Sequence, residues 1–311
     1  MFFKKKLLPA ELVSLHLPYR GGEKLVRVYL PRRRKGEKLP VVYMTDGQSV
    51  FDEESNPLGC WHTREAVEAE RDASGRSAII VGIHSDPNPM LRTAELTPAS
   101  IGSFVPPPMP PMPEGAENMP PMPPMPEGAE NMPPMPPMPE GFEKMTPETM
   151  RKMMEDMMKD FTPDGEYFDE FVLKTVMPAV ERKFPVRKGR ENTAIIGSSS
   201  GGLEVFYIAL SHPEQFCAVG ALSPAFLYYS EDDIMKWTAG RLTEQSPLVC
   251  LYCGEGEPKE KQMCDAAKPV FELIKSVLPQ DRVKEVISPE GIHNESAWEP
   301  VFKDFLHRFL N

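Results

Sequence analysis

The segment of this chain best suited to chemistry is a run of three serines framed by glycines. Gly197-Ser198-Ser199-Ser200-Gly201 follows the pattern G-x-S-x-G, which holds a serine hydroxyl exposed on a sharp turn between a strand and a helix. Glycine is needed two residues before and after the central serine because strand and helix approach too closely there for a β-carbon. Ser199 is therefore the predicted nucleophile. A turn that binds phosphate at a helix N-terminus is the open alternative, although the segment lacks the lysine of a phosphate loop.

A serine nucleophile needs a general base, and the histidines after Ser199 supply the candidates. In this architecture the chain order is Ser, then Asp or Glu, then His. His293 follows the last predicted strand, whereas His307 lies inside the terminal helix and His212 is too close to the serine turn. The order predicts His293 as the base.

The carboxylate that orients the base is expected after the strand predicted at Leu248 to Cys253. The chain continues there as Gly254-Glu255-Gly256-Glu257. We predict Glu257 as the acid and keep Glu255 as the rival. Either carboxylate can hold the imidazole tautomer and stabilise imidazolium, and either can be an ordinary solvated loop charge.

Two backbone N–H groups are expected to form an oxyanion hole. One belongs to Ser200, directly after the nucleophile, and the other to a residue in the loop after an early strand. Gln48 is predicted for the second donor, since Gly47 before it allows a tight turn off the strand ending at Met44.

The elements that must position these residues read as strands alternating with helices. This alternation predicts an α/β protein whose mostly parallel sheet carries helices on both faces. Ligands of such sheets bind at the carboxyl ends of the strands, where all the candidates fall. The predicted strands are Leu12 to Leu17, Leu25 to Leu30, Val41 to Met44, Ala78 to Ile83, the strand before Ser199, Ala218 to Leu222, Leu248 to Cys253 and Val283 to Ile287. The predicted helices are Thr63 to Asp72, Tyr167 to Arg182, the helix after Ser199, Glu231 to Ala239, Lys261 to Val277 and a last helix to Phe309.

An insert at 103–160 separates two parts of one predicted catalytic domain, 1–102 and 161–311. Fourteen of the 20 methionines lie in this insert, and residues 107–145 are three consecutive 13-residue copies beginning P-P-M-P-P-M. Such proline density predicts polyproline II or disorder rather than helix or sheet. A Met-rich helix is predicted at 146–160, as core packing or as a lid. A repeat-expanded linker without chemistry is favoured over a Cu(I) site of thioethers.

Net charge and cysteine content limit the classes of partner and the cellular compartment expected for this protein. The net charge of -11 argues against nucleic acid and against an anionic membrane surface. No stretch has the length and apolarity of a signal peptide or a membrane span, so a cytoplasmic protein is expected. Five cysteines suit reduced thiols, and the C-x-x-C of Cys250 and Cys253 is expected in a strand with its side chains on opposite faces, without metal or redox chemistry.

Several stretches together resemble a known family: the esterases of the α/β-hydrolase fold that include esterase D-like, enterochelin esterase-like and feruloyl or acetyl-xylan esterase-like enzymes. The matching stretches are R-V-Y-L-P at Arg27, Y-M-T-D-G-Q-S-V-F-D at Tyr43, Trp61, I-I-V-G-I at Ile79, R-T-A-E-L-T-P at Arg92, G-S-S-S-G-G at Gly197, L-S-P-A-F at Leu222 and G-I-H-N-E-S-A-W at Gly291. The resemblance implies the same nucleophile, base, acid loop and oxyanion donors. The expected substrate-binding residues within these stretches are Asp46, Gly47, Trp61, Arg92 and Trp298. The family commonly has a bulky residue after the nucleophile, where this chain has Ser200, and the repeat insert is foreign to the family's pattern.

The predicted function is a serine carboxylesterase that forms an acyl-enzyme and needs no cofactor or metal. A small-molecule or carbohydrate-linked ester is the expected substrate, with carbohydrate-linked esters preferred. The alternatives are an acyltransferase with the same triad, a siderophore-ester hydrolase, and a non-enzymatic scaffold that uses the repeat arm. The oligomeric state is open.

Overall fold

The computed structural model describes residues 7–52, 59–106 and 161–311. All elements below belong to one unit made of Met1–Val105 and Pro163–Asn311. The predicted repeats at 107–145 and the predicted Met-rich helix at 146–160 lie outside the described residues, so the proposals made for them stay predictions.

The chain opens with the predicted hairpin. Strands β1 (Glu11–Tyr19) and β2 (Gly22–Leu30) pair antiparallel, with Tyr19 opposite Gly22. The two linking residues, Arg20 and Gly21, have φ of 48° and 78°. Positive φ at both positions is the signature of the type I′ turn, whose twist matches that of the flanking strands.

Six further strands complete a mixed sheet in the order β1-β2-β4-β3-β5-β6-β7-β8. Every neighbouring pair from β4 to β8 is parallel, and β2 pairs antiparallel with β4. These strands are β3 (Val41–Met44), β4 (Ile79–Ile83), β5 (Thr193–Ser198), β6 (Ala218–Leu222), β7 (Leu248–Gly254) and β8 (Val283–Ser288). The predicted α/β class with a mostly parallel sheet is confirmed.

The helices lie between consecutive parallel strands, except the last one, which follows β8. They are α1 (Thr63–Ser74), α2 (Pro89–Glu95), α3 (Gly165–Phe171), α4 (Met177–Lys183), α5 (Ser200–Ser211), α6 (Glu231–Ala239), α7 (Pro258–Val277) and α8 (Glu295–Leu310). A π-helical turn at Val172–Val176 joins α3 to α4, where the sequence predicted one continuous helix. Two differences bear on the site: α2 was not predicted, and α7 begins three residues before the predicted Lys261.

Apolar side chains pack on both faces of the sheet, as its buried strands require. Alternation along β7 places Cys250 in the cluster on one face and Cys253 in the cluster on the other, as expected for this Cys-x-x-Cys. All five cysteines are free thiols. Within the described ranges, no helix is long and apolar enough to cross a membrane, and no group of three or more His, Cys, Asp or Glu side chains is arranged to hold a metal ion.

Candidate active site

Ser199 occupies a strained turn between β5 and α5. Its backbone has φ 59° and ψ −129°, a region that residues with a β-carbon rarely adopt. Such a conformation costs roughly 1–3 kcal/mol and persists only where the surroundings impose it. A β-carbon on Gly197 would lie 2.6 Å from the Gly201 carbonyl oxygen, and one on Gly201 would lie 2.9 Å from Asp46 Oδ2. The two glycines therefore have the steric role that the motif predicts.

Backbone hydrogen bonds hold this turn against the neighbouring strand. The Ser199 N–H donates to the Leu222 carbonyl at 2.9 Å, and the Ala225 N–H donates to the Ser199 carbonyl at 3.1 Å. Leu222 ends β6 and lies beside Ser198 in the parallel register. The end of β6 thus fixes the serine's backbone while leaving its side chain partly exposed.

His293 lies in the loop between β8 and α8, at the same edge of the sheet. Its Nδ1 is 2.6 Å from Oε2 of Glu260, and the imidazole and the carboxylate are 7% and 0% exposed. The ring also meets the indole of Trp298 edge to face, with centroids 5.0 Å apart and planes at 85°. The structure therefore supplies the predicted histidine with a buried carboxylate partner.

The protonation of this pair follows from the donors around Glu260. Burial by itself would raise the pKa of the Glu260 carboxyl, but hydrogen bonds from His293, Ser223 and the Gly254 N–H outweigh burial and lower it. An ionised carboxylate can only accept hydrogen bonds, so His293 Nδ1 carries the proton. Nε2 is then the nitrogen with a free lone pair, as a general base requires.

The carboxylate that contacts the His293 imidazole is Glu260, and neither Glu257 nor Glu255, the two acids predicted from the sequence, has that position. Glu257 does not contact the imidazole: its Oε1 accepts a hydrogen bond from the backbone N–H of His293 at 2.9 Å. Glu255 forms an ion pair with Lys268 at 2.6 Å, with the two side chains 31% and 39% exposed. The choice of Glu257 is thus corrected on geometric grounds, although Glu257 does help to hold the histidine loop.

The start of α7 explains why Glu260 reaches the end of β7, close to His293. Pro258 is the first helical residue, so Glu260 is the third and its side chain points back toward the end of β7. There its Oε1 accepts the Gly254 N–H at 2.8 Å. A glutamate at this helical position commonly bonds the N–H of the N-cap residue, whereas Glu260 reaches past the cap Glu257 to Gly254. Proline at the first position marks such a helix start. Pro258 was therefore the sequence feature that could have indicated a helix start before Lys261.

The predicted oxyanion donors both lie in the first turn of a helical segment. Ser200 is the first residue of α5, and Gln48 lies in a 3₁₀ turn at Gly47–Ser49, two residues beyond the end of β3. First N–H groups of helices have no acceptor within the helix and point outward. The Ser200 hydroxyl lies 3.4 Å from the Tyr228 hydroxyl. Tyr228 is therefore adjacent to the position where the family commonly has a bulkier residue than serine.

Asp46 and Arg92 hold the turn that carries Gln48. Arg92 Nε and Nη2 donate to the two Asp46 oxygens at 2.6 Å and 2.8 Å, and Ser85 Oγ donates to Oδ1 at 2.6 Å. Burial opposes ionisation of Asp46, but the Arg92 charge prevails and holds the pKa of this carboxyl below its ordinary value. Gly47 is needed because a β-carbon there would lie 2.6 Å from the Gly82 carbonyl carbon. Three of the expected substrate-binding residues, Asp46, Gly47 and Arg92, thus support the turn that carries Gln48.

The two expected tryptophans lie within the core. Trp61 is 2% exposed and Trp298 5% exposed, with ring centroids 5.9 Å apart. The Trp298 Nε1–H donates to Ser223 Oγ at 3.0 Å, and Ser223 Oγ donates to Glu260 Oε1. The indoles therefore back the site instead of offering an open face to a ligand. The sequence had given Ser223 no role.

A sequence model of the family described as "Putative esterase" matches residues 153–308. Two relatives come from Bacillus subtilis (strain 168). The uncharacterized protein YbbA is 23% identical over 164 residues, 51% of this chain and 62% of that protein. The ferri-bacillibactin esterase BesA is 28% identical over 137 residues, 42% of this chain and 43% of that protein. The matched segments thus span less than two thirds of either relative.

Among solved structures, the BES protein from Bacillus cereus superposes with a TM-score of 0.60 at 18% identity. The match covers 100% of this chain and 98% of that one. At this identity the likeness concerns the fold, which is the α/β-hydrolase type.

Proposed function

The chain belongs to the esterase family whose model covers its residues 153–308, hydrolases acting on esters, and from this premise we propose that it is a serine carboxylesterase. The observation that carries the proposal is the backbone conformation of Ser199, which has φ 59°. The turn is so tight that a β-carbon would not fit at Gly197 or at Gly201 on either side of it. Such strain at a serine hydroxyl is typical of a nucleophile elbow.

The strained turn at Ser199 and the pairing of His293 with Glu260 support a two-step reaction. Ser199 Oγ attacks the ester carbonyl carbon while its proton passes to Nε2 of His293, and Glu260 stabilises the imidazolium through Nδ1. The negative charge on the carbonyl oxygen is stabilised by the N–H groups of Ser200 and Gln48. The alcohol leaves with the proton from His293, and an acyl-serine remains.

Water completes the cycle. His293 accepts a proton from the water molecule that attacks the acyl-serine, and the carboxylic acid is released as Ser199 regains its proton. An alcohol in place of water would make the same site an acyltransferase. Product analysis in the presence of an acceptor alcohol separates the two, because only transfer yields a new ester.

A small-molecule ester is the proposed substrate class. Arg92 is paired with Asp46 and so presents no unneutralised positive charge at the oxyanion turn. Similarity to a ferri-bacillibactin esterase favours a siderophore ester as the second, narrower candidate. The carbohydrate-linked ester expected from the sequence remains the competing candidate.

The test is hydrolysis of a panel of esters by the wild type, Ser199→Ala and His293→Ala. The panel holds p-nitrophenyl acetate and butyrate, a catecholate trilactone and a feruloylated oligosaccharide. We expect turnover by the wild type and a loss of at least about 10³-fold in each variant, with unchanged thermal unfolding. Near-normal turnover by folded His293→Ala would contradict the proposed mechanism, and the panel ranks the substrate classes.

A further inference from the structure

The segment 222–225, which begins at the last residue of β6, contacts both halves of the candidate site. Through its backbone, Leu222 accepts the Ser199 N–H at 2.9 Å and Ala225 donates to the Ser199 carbonyl at 3.1 Å. Between them, the Ser223 side chain donates to Glu260 Oε1. One four-residue segment thus joins the backbone of the nucleophile to the carboxylate that orients the base.

The direction of each hydrogen bond on Ser223 is determined by its partners. The Trp298 indole N–H can only donate, so Ser223 Oγ accepts it, at 3.0 Å. An ionised carboxylate can only accept, so the hydroxyl hydrogen of Ser223 points to Glu260. Ser223 is 0% exposed, so bulk water does not compete for either bond.

Backbone preference does not account for a serine at this position. Ser223 has φ 44°, in the left-handed region that favours glycine. Glycine would adopt the same conformation at lower steric cost but would lack the hydroxyl. The hydroxyl group is therefore what serine contributes at this position and glycine would not.

We propose that Ser223, oriented by Trp298, is a positioning residue that holds the Glu260 carboxylate in register with His293. The inference rests on the proposed esterase function. The two carboxylate oxygens have different partners, since Oε1 is anchored by Ser223 and by the Gly254 N–H at 2.8 Å, whereas Oε2 meets His293 Nδ1 at 2.6 Å. Trp298 contacts both Ser223 and His293, because its Nε1–H donates to the serine and its ring packs against the imidazole.

Loss of the Ser223 hydroxyl leaves Oε1 with one donor instead of two. The Glu260 carboxylate is then less restrained in its orientation. Because fewer donors neutralise its negative charge, it also stabilises the protonated form of His293 more strongly. We expect kcat to fall roughly tenfold to a hundredfold with KM nearly unchanged, since a hydrogen bond to a charged group is lost and no substrate contact is. The acid limb of the pH profile of kcat/KM should move to higher pH.

Ser223→Gly is the decisive variant because glycine suits the backbone at φ 44°, so we expect this variant to fold. Trp298→Phe keeps a ring against His293 but removes the donor that orients Ser223, and a smaller loss of kcat is expected. Trp237→Phe is the matched control: this buried indole has an Nε1 without a hydrogen-bond partner in the described part of the chain. It should leave kcat and the pH profile unchanged.

The variants alter no titratable group that faces Glu260. These groups are Cys253, Tyr252, Lys259 and His293. A second readout, the downfield NMR resonance of the His293 Nδ1 proton, reports on the Glu260 contact without turnover. It is identified by its absence in His293→Ala and should shift in Ser223→Gly but not in Trp237→Phe.

Wild-type kcat and an unmoved resonance in folded Ser223→Gly would overturn the inference, as would a rise in KM at unchanged kcat. Should glycine fail to fold, Ser223→Ala and Trp298→Phe carry the same comparison. Failure of the proposed esterase function is distinguishable, because it would appear in the wild type as absent ester turnover, while the NMR comparison would still test the positioning role.

Discussion

Two glutamates with completely buried side chains lie in opposite environments. Glu260, at the start of α7, accepts hydrogen bonds from Ser223, Gly254 and His293. Glu204, in α5 one turn beyond the serine, is 0% exposed, and neither of its oxygens has a hydrogen-bond partner in the described part of the chain. The same side chain at the same burial is thus fully bonded in one region and unpaired in the other.

The difference shows that donors, not burial, decide the charge of a carboxyl group in this protein. Burial raises the pKa of Glu204 well above its ordinary value, and the nearby carboxylates of Asp169 and Glu166 raise it further. Burial opposes ionisation of Glu260 as well, but its three donors lower the pKa below the ordinary value. Glu260 is therefore ionised at neutral pH, whereas Glu204 is favoured in its neutral form.

The largest effect is expected from Glu260→Gln. An amide in place of the carboxylate removes the charge that stabilises imidazolium and can impose the wrong imidazole tautomer. A loss of roughly 10³- to 10⁴-fold in kcat is expected, by analogy with the orienting acid of other triads. Glu204→Gln, the same change at equal burial, should keep kcat within about twofold. Steady-state kinetics on p-nitrophenyl acetate make the comparison, and equal losses would refute it.

A second effect concerns stability against pH. The folded-state pKa of Glu204 is raised, so its contribution to stability is complete below the ordinary value of about 4.5 and is lost as pH rises toward the raised value. Glu204→Gln has no such loss. The difference in Tm between this variant and the wild type should therefore grow from pH 4 to pH 8 in favour of the variant.

The exposed Glu244 provides the control for that measurement. Glu244→Gln should follow the wild-type Tm at every pH, since this exposed side chain is surrounded by water in the folded chain as it is in the unfolded one. A Tm difference for Glu204→Gln that stays flat from pH 4 to pH 8 would mean that Glu204 is ionised in the folded protein.

Glu257→Gln should have a smaller effect. Its carboxylate accepts the backbone N–H of His293 at 2.9 Å, and the amide oxygen of glutamine can still accept that bond. We expect kcat to fall by about threefold to tenfold, since the bond weakens but persists. A loss as large as that of Glu260→Gln would restore Glu257 as the orienting acid.

The smallest effect is expected from Glu255→Gln. The side chain forms an ion pair with Lys268 in which both partners are partly exposed, and such pairs contribute little to stability. Turnover should stay within about twofold of the wild type, and thermal unfolding nearly unchanged. A larger fall in kcat, measured beside Glu257→Gln, would mean that this ion pair transmits strain to the end of β7.

The fold class and part of the candidate site were predictable from local sequence patterns. Buried apolar strands and the glycine spacing around Ser199 are dictated by neighbouring residues, and His293 follows from its place after the last strand. Glu260 was missed because apolar periodicity begins later in α7 than the helix itself, so its first turn read as loop. The Asp46–Arg92 pair was missed because α2 is short and polar and gives no periodic signal.

The partners of Ser223 could not be read from the chain for a different reason. Ser223 is separated from Glu260 by 37 residues and from Trp298 by 75, and only the parallel register of β6 and β7 brings Ser223 and Glu260 together. Contacts of this kind depend on tertiary packing, about which a local pattern carries no information.

The most direct test of the account is the rate at which a fluorophosphonate probe labels the protein, with the adduct located by peptide mass spectrometry. The wild type, Glu260→Gln and Glu204→Gln are compared at pH 7. The account predicts an adduct on Ser199, slow labelling in Glu260→Gln and a wild-type rate in Glu204→Gln. An adduct on another residue, no labelling of the folded wild type, or equal rates in both variants would contradict it.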